Sequence, residues 1–493
     1  MSEREERGLA SAAGGPAPAA WGTLLEHAHA KPAIAVVLCT VSSAFGFFVT
    51  ATVLPSVVAD IGGLAFYAWT STAYAVTAIL GSAGSSVVVR RTGTRATLLA
   101  AAAVLVAGTS VCALAPSMPI LVGGRGLQGL GGGMMTAAVH GVVREVFPEL
   151  LWPRMLATIS GAWGLAALSG PAVGGIFAGL GIWRGAFWVM VPLIVVAAAM
   201  TWRILPRIGS RAGIRAERAP RAPLGRLCVM CAGVLCVASV ANVGSAPARA
   251  ALLAAAVIAF ALMLRLDGAS PERLFPADML SLRRVVGKGF WMIFFVAMST
   301  TPGSVYLALF LQILHGIPAA AAGYFYAGQS LAWTAAALLS ARLAGSRARG
   351  ALVVGPLMMA AGFVGLFATI TSGPVAAIAV SVALVGGGIG TCWAHVGSIV
   401  LGSARQGEEA MTASLIPTTQ AFAVSMGAAL SGIIANAAGL SGGDSQPVAA
   451  LAAAWLFGTF LLSPLAALAI AWRLAAQREG YGKNSQDAFS ASC

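Results

Sequence analysis

Long stretches of the chain contain no Asp, Glu, Lys or Arg, and this feature limits the fold more than any other. The charge-free windows are residues 32–59, 61–89, 96–124, 126–143, 155–183, 185–202, 227–248, 250–264, 289–341, 350–404, 410–443 and 445–472. Because an α-helix crosses the hydrocarbon core of a bilayer in about 20 apolar residues, most windows match one crossing. With 58% hydrophobic and 9% charged residues, the composition excludes a soluble protein.

Two windows, 289–341 and 350–404, are twice the length of one crossing and contain turn signals. His315-Gly316-Ile317-Pro318 divides the first, and Thr371-Ser372-Gly373-Pro374 divides the second. The windows then predict an all-α membrane protein with fourteen spans, in groups of six, two and six. Because window 250–264 is short and lies between two arginines, twelve spans with an interfacial hairpin stay open as the alternative.

Basic residues fall almost entirely on one side of this arrangement. Of the 30 Lys and Arg residues, the predicted outer loops carry only Arg184 and Arg249, while Arg125 lies within a span. This bias follows the positive-inside rule and predicts cytoplasmic N and C termini in a multi-pass protein of the inner (plasma) membrane. The net charge of +14 is therefore a topology signal, and no nucleic-acid partner is expected.

The spans divide the chain into seven segments. They are a disordered cytoplasmic tail (1–31), a six-helix bundle (32–204), a basic linker (205–226), two extra transmembrane helices (227–265), a second linker (266–288), a six-helix bundle (289–475) and a cytoplasmic tail (476–493). The basic linker region would place Arg203, Arg207, Arg211, Arg215 and Arg218 on one helix face. That face suits either contact with anionic inner-leaflet lipids or a solvated linker.

The cysteines predict neither a metal centre nor a disulfide framework. Cys228 and Cys231 have metal-like spacing, but no second cysteine pair or histidine lies nearby, and structural zinc takes four ligands. We interpret the cysteines within spans as small helix-packing residues. No cofactor is expected.

The fourth span carries the residues with the most chemical content. An arginine within a membrane helix is costly and must face protein, water or a partner, so Arg125 is a functional candidate. At about 100° per residue, Gln128, Gly129, Thr136 and His140 lie on or near the same stripe. The stripe predicts a cavity wall. Alternatively, Arg125 bonds backbone carbonyls and locks neighbouring helices, and the two roles can coexist.

The fifth span is rich in glycine and contains one proline. Its small residues pair at spacings that let helix backbones approach closely, and its proline removes one backbone hydrogen bond. This pattern predicts a kinked helix that slides or rocks against its neighbour, with simple tight packing as the alternative. The residues concerned are Gly164, Gly170, Pro171, Gly174, Gly175 and Gly179.

In combination, these motifs resemble the major facilitator superfamily, and within it the fourteen-span drug:proton antiporters. Arg125-x-x-Gln128-Gly129 is similar to the family's fourth-helix motif, and Gly170-Pro171-x-x-Gly174-Gly175 to its antiporter motif. Trp183-Arg184, Leu54-Pro55 and the start of the second half at 311–316 are also similar. The likeness covers about residues 33–475 and implies two six-helix bundles plus two extra central helices.

The loop between the second and third spans departs from the family's gating loop. It contains Arg90, Arg91, Gly93 and Arg95, and Arg90 stands where the family has an acidic residue. The position of the first-helix aspartate common in the family is Gly46 here.

Proton coupling in this family usually relies on membrane carboxylates, and no Asp or Glu lies centrally in any span. The remaining candidates are His140, Glu145 and His395. Alternatively, Glu145 pairs with a loop arginine such as Arg144 or Arg154. His395 is alternatively a packed polar residue.

The substrate cavity is predicted from aromatic and amide side chains. Besides Arg125, Gln128, Gly129 and Thr136, the candidate cavity residues are Tyr306, Gln329 and Trp333. Such a cavity would bind apolar or amphipathic molecules by burial and stacking, and Arg125 would favour neutral or anionic ones.

We therefore expect a monomeric carrier that exports hydrophobic or amphipathic small molecules by alternating access, in multidrug-type, proton-linked efflux. A proton-independent facilitator, or an exporter of a lipid or natural product, is the alternative. A membrane enzyme would need His140 and Glu145 to act together, but these residues lie on different helix faces. A receptor built on a carrier scaffold would need a large soluble domain, which the short loops do not provide.

Overall fold

The computed structural model describes residues 27–148, 151–205, 224–270, 273–276, 278–343, 345–405 and 408–476, and all regular structure in these ranges is helical. The α-helices are α1 His27–Ile61, α2 Trp69–Thr92, α3 Thr94–Leu114, α4 Met118–Val146, α5 Trp152–Gly179, α6 Arg184–Trp188, α7 Met190–Ile204, α8 Leu224–Ser239, α9 Ala246–Gly268, α10 Val285–Met298, α11 Thr301–His315, α12 Ala319–Ser340, α13 Gly345–Thr369, α14 Val375–Gly402, α15 Glu409–Ala437, α16 Gln446–Phe460 and α17 Leu462–Ala475. The predicted all-α fold is confirmed.

Both double-length windows break at their predicted turns. Helix α11 ends at His315, where Gly316 follows with a φ of 63°, and α12 begins at Ala319. A further break between α10 and α11, at Ser299 and Thr300, was not predicted. It precedes Pro302, which lacks the N–H that would continue the helical hydrogen bonding.

Several predicted segment boundaries differ from those of the structure. Helix α1 begins at His27, so the predicted tail over 1–31 is wrong for its last five residues. The extra hairpin α8–α9 runs from Leu224 to Gly268, slightly beyond the predicted 227–265. The rest of the N-terminal tail, most of the arginine stripe and residues 477–493 lie outside the described residues.

Twelve helical stretches of the described chain are long and apolar enough to cross a membrane. Helices α4 and α12 fall outside this set. Both contain glycine and polar side chains, which lower the mean hydropathy of a helix that is shielded by its neighbours. The multi-pass membrane character is thus supported, while the count of fourteen spans and the side of the termini stay predictions.

The helices form two halves with the same internal packing. In the first half, α4 packs between α2 and α3, and α1 packs against α5. In the second half, α14 packs between α12 and α13, and α10 packs against α15. This recurrence indicates two copies of one helical unit.

The two halves meet where α5 packs against α12 and where α2 packs against α15, and α8 of the extra hairpin contacts both α2 and α15. We call the end of the bundle that carries residues 62–68 and 439–445 the outer end, because the basic residues predict it to be extracellular. The opposite end is the inner end.

Candidate functional site

Arg125 lies at the centre of a polar cluster within the first half. Its side chain is 2% exposed. Its Nη1 donates to Gln128 Oε1 at 2.7 Å and to Thr50 Oγ1 at 3.2 Å, and its Nε donates to the Thr70 carbonyl at 3.3 Å. The guanidinium also lies 4.5 Å from the centre of the Tyr74 ring. One side chain of α4 therefore ties α1 and α2 together.

Gln128 extends this cluster to the third helix. Its Nε2 donates to Thr109 Oγ1 of α3 at 2.9 Å, while its Oε1 accepts from Arg125. Within the described chain, every hydrogen-bond partner of Arg125 is neutral. The positive charge is therefore stabilised by dipoles and an aromatic face rather than by a carboxylate.

The predicted cavity wall on α4 is wrong for the stretch around Arg125. Gln128 is 1% exposed, and a methyl group added at Gly129 would clash with the Tyr74 carbonyl oxygen. This stretch is a packing face against α2 and α3, as the alternative interpretation of Arg125 proposed. Nearer the inner end, Thr136 donates to the Gly132 carbonyl of its own helix at 2.9 Å.

Four aromatic side chains connect the Arg125 cluster to the second half. The Phe47 ring centre lies 6.2 Å from that of Tyr74 and 6.1 Å from that of Tyr326. The Phe48 ring centre lies 5.6 Å from that of Tyr326. We call Phe47, Phe48, Tyr74 and Tyr326 the aromatic bridge, since it joins α1 and α2 to α12. Stacking surfaces of this kind bind apolar and aromatic ligands.

The glycines of α5 pack against both halves near the outer end. A methyl group added at Gly170 would lie 2.5 Å from Phe48 Cβ of α1, and one added at Gly174 would lie 3.0 Å from Thr52 Cβ. On the other face, a methyl group at Gly175 would clash with Ala320 of α12. Close backbone approach at these three positions is as predicted, whereas Gly179 has no neighbour within 4 Å.

Toward the inner end, glycines of the same two helices face open space. Gly161 and Gly164 of α5 have no neighbour within 4 Å at the position of an added methyl group, and neither has Gly328 of α12. Gly323, one turn and a half closer to the outer end, still packs against Pro171 and Thr52. The close glycine contacts between α5 and α12 therefore lie in the outer part of both helices.

The remaining predicted cavity residues lie in separate packed environments. Tyr306 is completely buried and stacks on Tyr67, with 5.1 Å between ring centres. Gln329 is buried beside Gly303, and Trp333 packs edge-on against Trp393 at 5.8 Å. Tyr306 thus belongs to the outer contact between the halves, since Tyr67 precedes α2.

The extra hairpin takes part in a hydrogen-bonded network at the outer end. Asn242 Oδ1 accepts from Trp69 Nε1 at 2.8 Å, and Asn242 Nδ2 donates to the Ala65 carbonyl at 3.2 Å. Asn436 Nδ2 of α15 donates to the same Ala65 carbonyl at 3.0 Å and to the Ala241 carbonyl at 3.3 Å. First half, second half and hairpin therefore meet at one carbonyl oxygen.

Comparison with known families assigns this architecture. The family model described as Major Facilitator Superfamily matches residues 36–428. The chain belongs to the major facilitator superfamily. The resemblance drawn from the fourth-span and fifth-span motifs is thereby confirmed.

Within the superfamily, the chain is similar to proteins named as drug transporters. A Mycobacterium tuberculosis protein named as a probable multidrug-efflux transporter is 33% identical over 401 residues, which are 79% of this chain and 84% of the relative. The Bacillus subtilis multidrug transporter protein MdtP is 30% identical over 162 residues, covering 31% of this chain and 29% of the relative.

Solved structures share the superfamily fold at low sequence identity. A crystal structure of the peptide transporter POT in complex with sulfate covers 91% of this chain and 96% of its own, with a TM-score of 0.65 at 16% identity. The human organic anion transporter MFSD10 covers 89% of this chain and 99% of its own, with a TM-score of 0.56 at 15% identity. These similarities concern the fold alone.

The loop that departs from the superfamily's gating pattern is a tight connection between α2 and α3. Gly93 has a φ of 82°, which favours glycine, and Arg90 and Arg91 lie in the last turn of α2. Arg95 donates to the Trp202 carbonyl, and its guanidinium lies 4.4 Å from the centre of the Trp202 ring. Arg95 therefore ties α3 to α7, while a gating role for this loop stays a prediction.

The three proton-coupling candidates occupy different places in the superfamily fold. His140 Nδ1 lies 2.8 Å from the Thr136 carbonyl at an exposed position. Glu145 accepts from the Thr94 hydroxyl at 2.6 Å, and His395 Nε2 lies 3.1 Å from the Ser340 carbonyl. None of the three contacts Arg125, and their coupling role stays a prediction.

Sequence reasoning missed an ionic contact at the outer end. Asp60, the last acidic residue of α1, accepts from Arg184 Nη1 at 2.7 Å and from Trp183 Nε1 at 3.0 Å. The sequence shows that Asp60 lies next to a charge-free window. It does not show the two partners of Asp60, because they lie more than 120 residues away in the chain. Among the described residues, no group of three or more His, Cys, Asp or Glu could hold a metal ion.

Proposed function

We propose that the protein exports hydrophobic or amphipathic small molecules across the inner membrane by alternating access of its two halves. The observation that carries this proposal is the packing of α5 and α12, which is tight near the outer end, whereas Gly161, Gly164 and Gly328 face open space nearer the inner end. A pair of helices packed more tightly at one end than at the other is suited to rocking about a central site. The relative from M. tuberculosis, named as a probable multidrug-efflux transporter, supports export of drug-like molecules.

The aromatic bridge is the proposed binding surface for the substrate. It joins the two halves, so a ligand that stacks there would interact with both and would respond to their relative movement. Arg125 underlies Tyr74 at 4.5 Å and orients this ring rather than meeting the substrate directly in the present conformation. Its charge, without a carboxylate partner, disfavours cationic substrates and favours neutral or anionic ones.

The proposed energy source is the proton gradient, used by proton-linked antiport, with His140, Glu145 or His395 as the titrating group. A proton-independent exporter or facilitator is the alternative, and the neutral surroundings of Arg125 favour it, because they contain no buried carboxylate that could exchange a proton with this arginine. Accumulation of a chemically varied panel of dyes and drugs, in cells with and without the protein, decides between the two. An uncoupler should abolish the difference for an antiporter and leave it unchanged for a facilitator.

Alternating access is tested with two pairs of cysteines in a background that lacks the seven native ones. Gly175 packs on Ala320, and Pro171 packs on Gly323, so the antiparallel register would place Gly164 opposite Leu331. We expect Ala178→Cys with Ile317→Cys, which the same register places opposite one another one turn beyond the tight contact of Gly175 with Ala320, to cross-link in the present conformation. Gly164→Cys with Leu331→Cys should cross-link only after the inner end closes.

Each cross-link should block export, and reduction should restore it. Substrate should change the yields of the two pairs in opposite directions, because the two ends would not be closed together. Single-cysteine variants control for non-specific loss of activity. Simultaneous high yields of both cross-links in actively exporting protein would contradict the mechanism.

A further inference from the structure

A cavity lies outside the contact between the two halves. It is enclosed by the extra hairpin α8–α9, the segment that follows it, and helices α10 and α15, toward the inner end of the bundle. Its volume is about 300 Å³, at the lower end of the about 300–1,000 Å³ typical of small-molecule pockets. None of the residues of the aromatic bridge lines it. We call it the hairpin pocket.

The walls of the hairpin pocket are almost entirely apolar and flexible. Its main lining side chains are Met230, Met263, Phe275, Phe290, Phe294 and Phe422. Methionine and phenylalanine adapt to varied apolar shapes without demanding hydrogen bonds. At the rim, Leu264 and Leu280 are 40% and 52% exposed, which leaves an apolar route between the pocket and the surrounding lipid.

One hydroxyl group in this apolar lining lacks a partner. Thr419 of α15 is 5% exposed, and its Oγ1 is buried without a hydrogen bond. Most helical hydroxyls of the chain donate to a carbonyl in the preceding turn, as Ser425 does to Ala421 at 2.7 Å. An unpaired buried hydroxyl is costly, so Thr419 indicates a missing hydrogen-bond partner in the pocket.

The charged groups of the pocket favour an anion. Asp267 is buried, but it is fully occupied: its Oδ1 accepts from Arg226 and from the Leu274 N–H at 2.7 Å, and its Oδ2 accepts from the Phe275 N–H at 3.0 Å. Arg273, by contrast, is exposed at the pocket and is bonded only weakly, at 3.4 Å, to the Gly268 carbonyl. Among the residues that the structure describes, no other Lys, Arg, Asp, Glu or His lines the pocket.

The structure assigns to the hairpin pocket the binding of an anionic amphiphile with one apolar chain. The chain would lie among the Met and Phe side chains, an oxygen of its polar part would accept from Thr419, and its anionic group would face Arg273. Both a free fatty acid and one acyl chain of an anionic phospholipid have this chemistry. The site does not depend on the proposed export function, because it shares no residue with the aromatic bridge.

Native mass spectrometry of the full-length, delipidated protein tests this assignment. The probes are palmitate, phosphatidylglycerol with palmitoyl chains, and phosphatidylcholine with the same chains. We expect saturable binding with a preference of at least about threefold for anionic over zwitterionic lipid, as one partly exposed charge provides. Binding of palmitate alone identifies a free fatty acid, and binding of phosphatidylglycerol identifies a membrane lipid as the source.

Variants separate the pocket from general lipid adhesion. Thr419→Val keeps the shape of the side chain and should weaken binding about fivefold, the typical effect of one hydrogen bond, whereas Thr419→Ser should restore it. Arg273→Gln should remove the anion preference, while Arg249→Gln, at the opposite end of the hairpin, should not. Equal binding of phosphatidylcholine and both anionic probes, or unchanged binding in Thr419→Val or Arg273→Gln, would overturn the assignment.

Discussion

At the residue scale, Arg125 acts through three helices at once. Its side chain bonds Thr50 of α1 and Gln128 of its own helix, and it stacks on Tyr74 of α2. A truncated side chain would leave the Thr70 carbonyl and Gln128 Oε1 without this donor, at a cost of about 1–3 kcal/mol for each buried group. The aromatic bridge would also lose the cation that holds Tyr74.

We therefore expect Arg125→Ala to abolish export while membrane insertion is retained. Arg125→Lys should recover only part of the activity, because an ammonium cannot replace the planar, multidentate guanidinium. Drug accumulation at matched expression levels, with Arg249→Ala as the exposed control, measures the effect. Wild-type export by well-expressed Arg125→Ala protein would refute the role of this residue.

Which members of the Arg125 cluster can be predicted from the sequence depends on how far apart they lie in the chain. Arg125 and Gln128 lie three residues apart on one helix, so their shared face follows from helical geometry alone. Thr50, Tyr74 and Thr109 come from three other helices, and no periodicity links them to α4. The sequence thus identified Arg125 as a candidate but did not predict that its surroundings are packed protein rather than an open cavity.

At the element scale, α5 works as a spacer whose glycines set the distance to α12. Gly175 is in direct contact with Ala320, so a larger side chain must push the two helices apart. Gly179 lies one turn further and has no neighbour within 4 Å. Both positions are glycines of the same helix with similar sequence neighbours. They differ in whether another helix contacts them.

Gly175→Val should therefore weaken the closed outer end, while Gly179→Val should not. Overpacking of this kind typically costs about 1–3 kcal/mol, so we expect a lower thermal midpoint and slower export for Gly175→Val only. Thermal unfolding in detergent and dye efflux in cells measure the two effects. Equal behaviour of both variants would show that the contact at Gly175 does not set the distance between α5 and α12.

Helix positions were largely predictable, whereas helix contacts were not. Absence of charge marks the spans, and the turns after His315 and Thr369 appeared where glycine and proline cluster. The break before Pro302 was missed, because a proline in an apolar window signals either a kink or a helix start. Which helix pairs touch depends on small residues that occur on nearly every span.

At the scale of the whole molecule, the extra hairpin connects the two halves instead of lying apart from them. Helix α8 packs against α2 and α15, which belong to different halves. At the outer end, Asn242 and Asn436 both donate to the Ala65 carbonyl. Rocking of the halves would separate these donors, so the hairpin stabilises the conformation that is closed at the outer end.

Asn242→Ala and Asn436→Ala should each destabilise that conformation by about 0.5–1.5 kcal/mol, the usual net value of an intramolecular hydrogen bond. Because both amides share one acceptor, each single variant leaves the Ala65 carbonyl with one donor, and the double variant should lose more than the sum of the single losses. The yield of the cross-link between Ala178→Cys and Ile317→Cys reports the closed population. Gln446→Ala is the control, since its amide bonds Ile313 within the second half only. Strictly additive losses, or an equal effect of the control, would show that the hairpin does not couple the halves through Ala65.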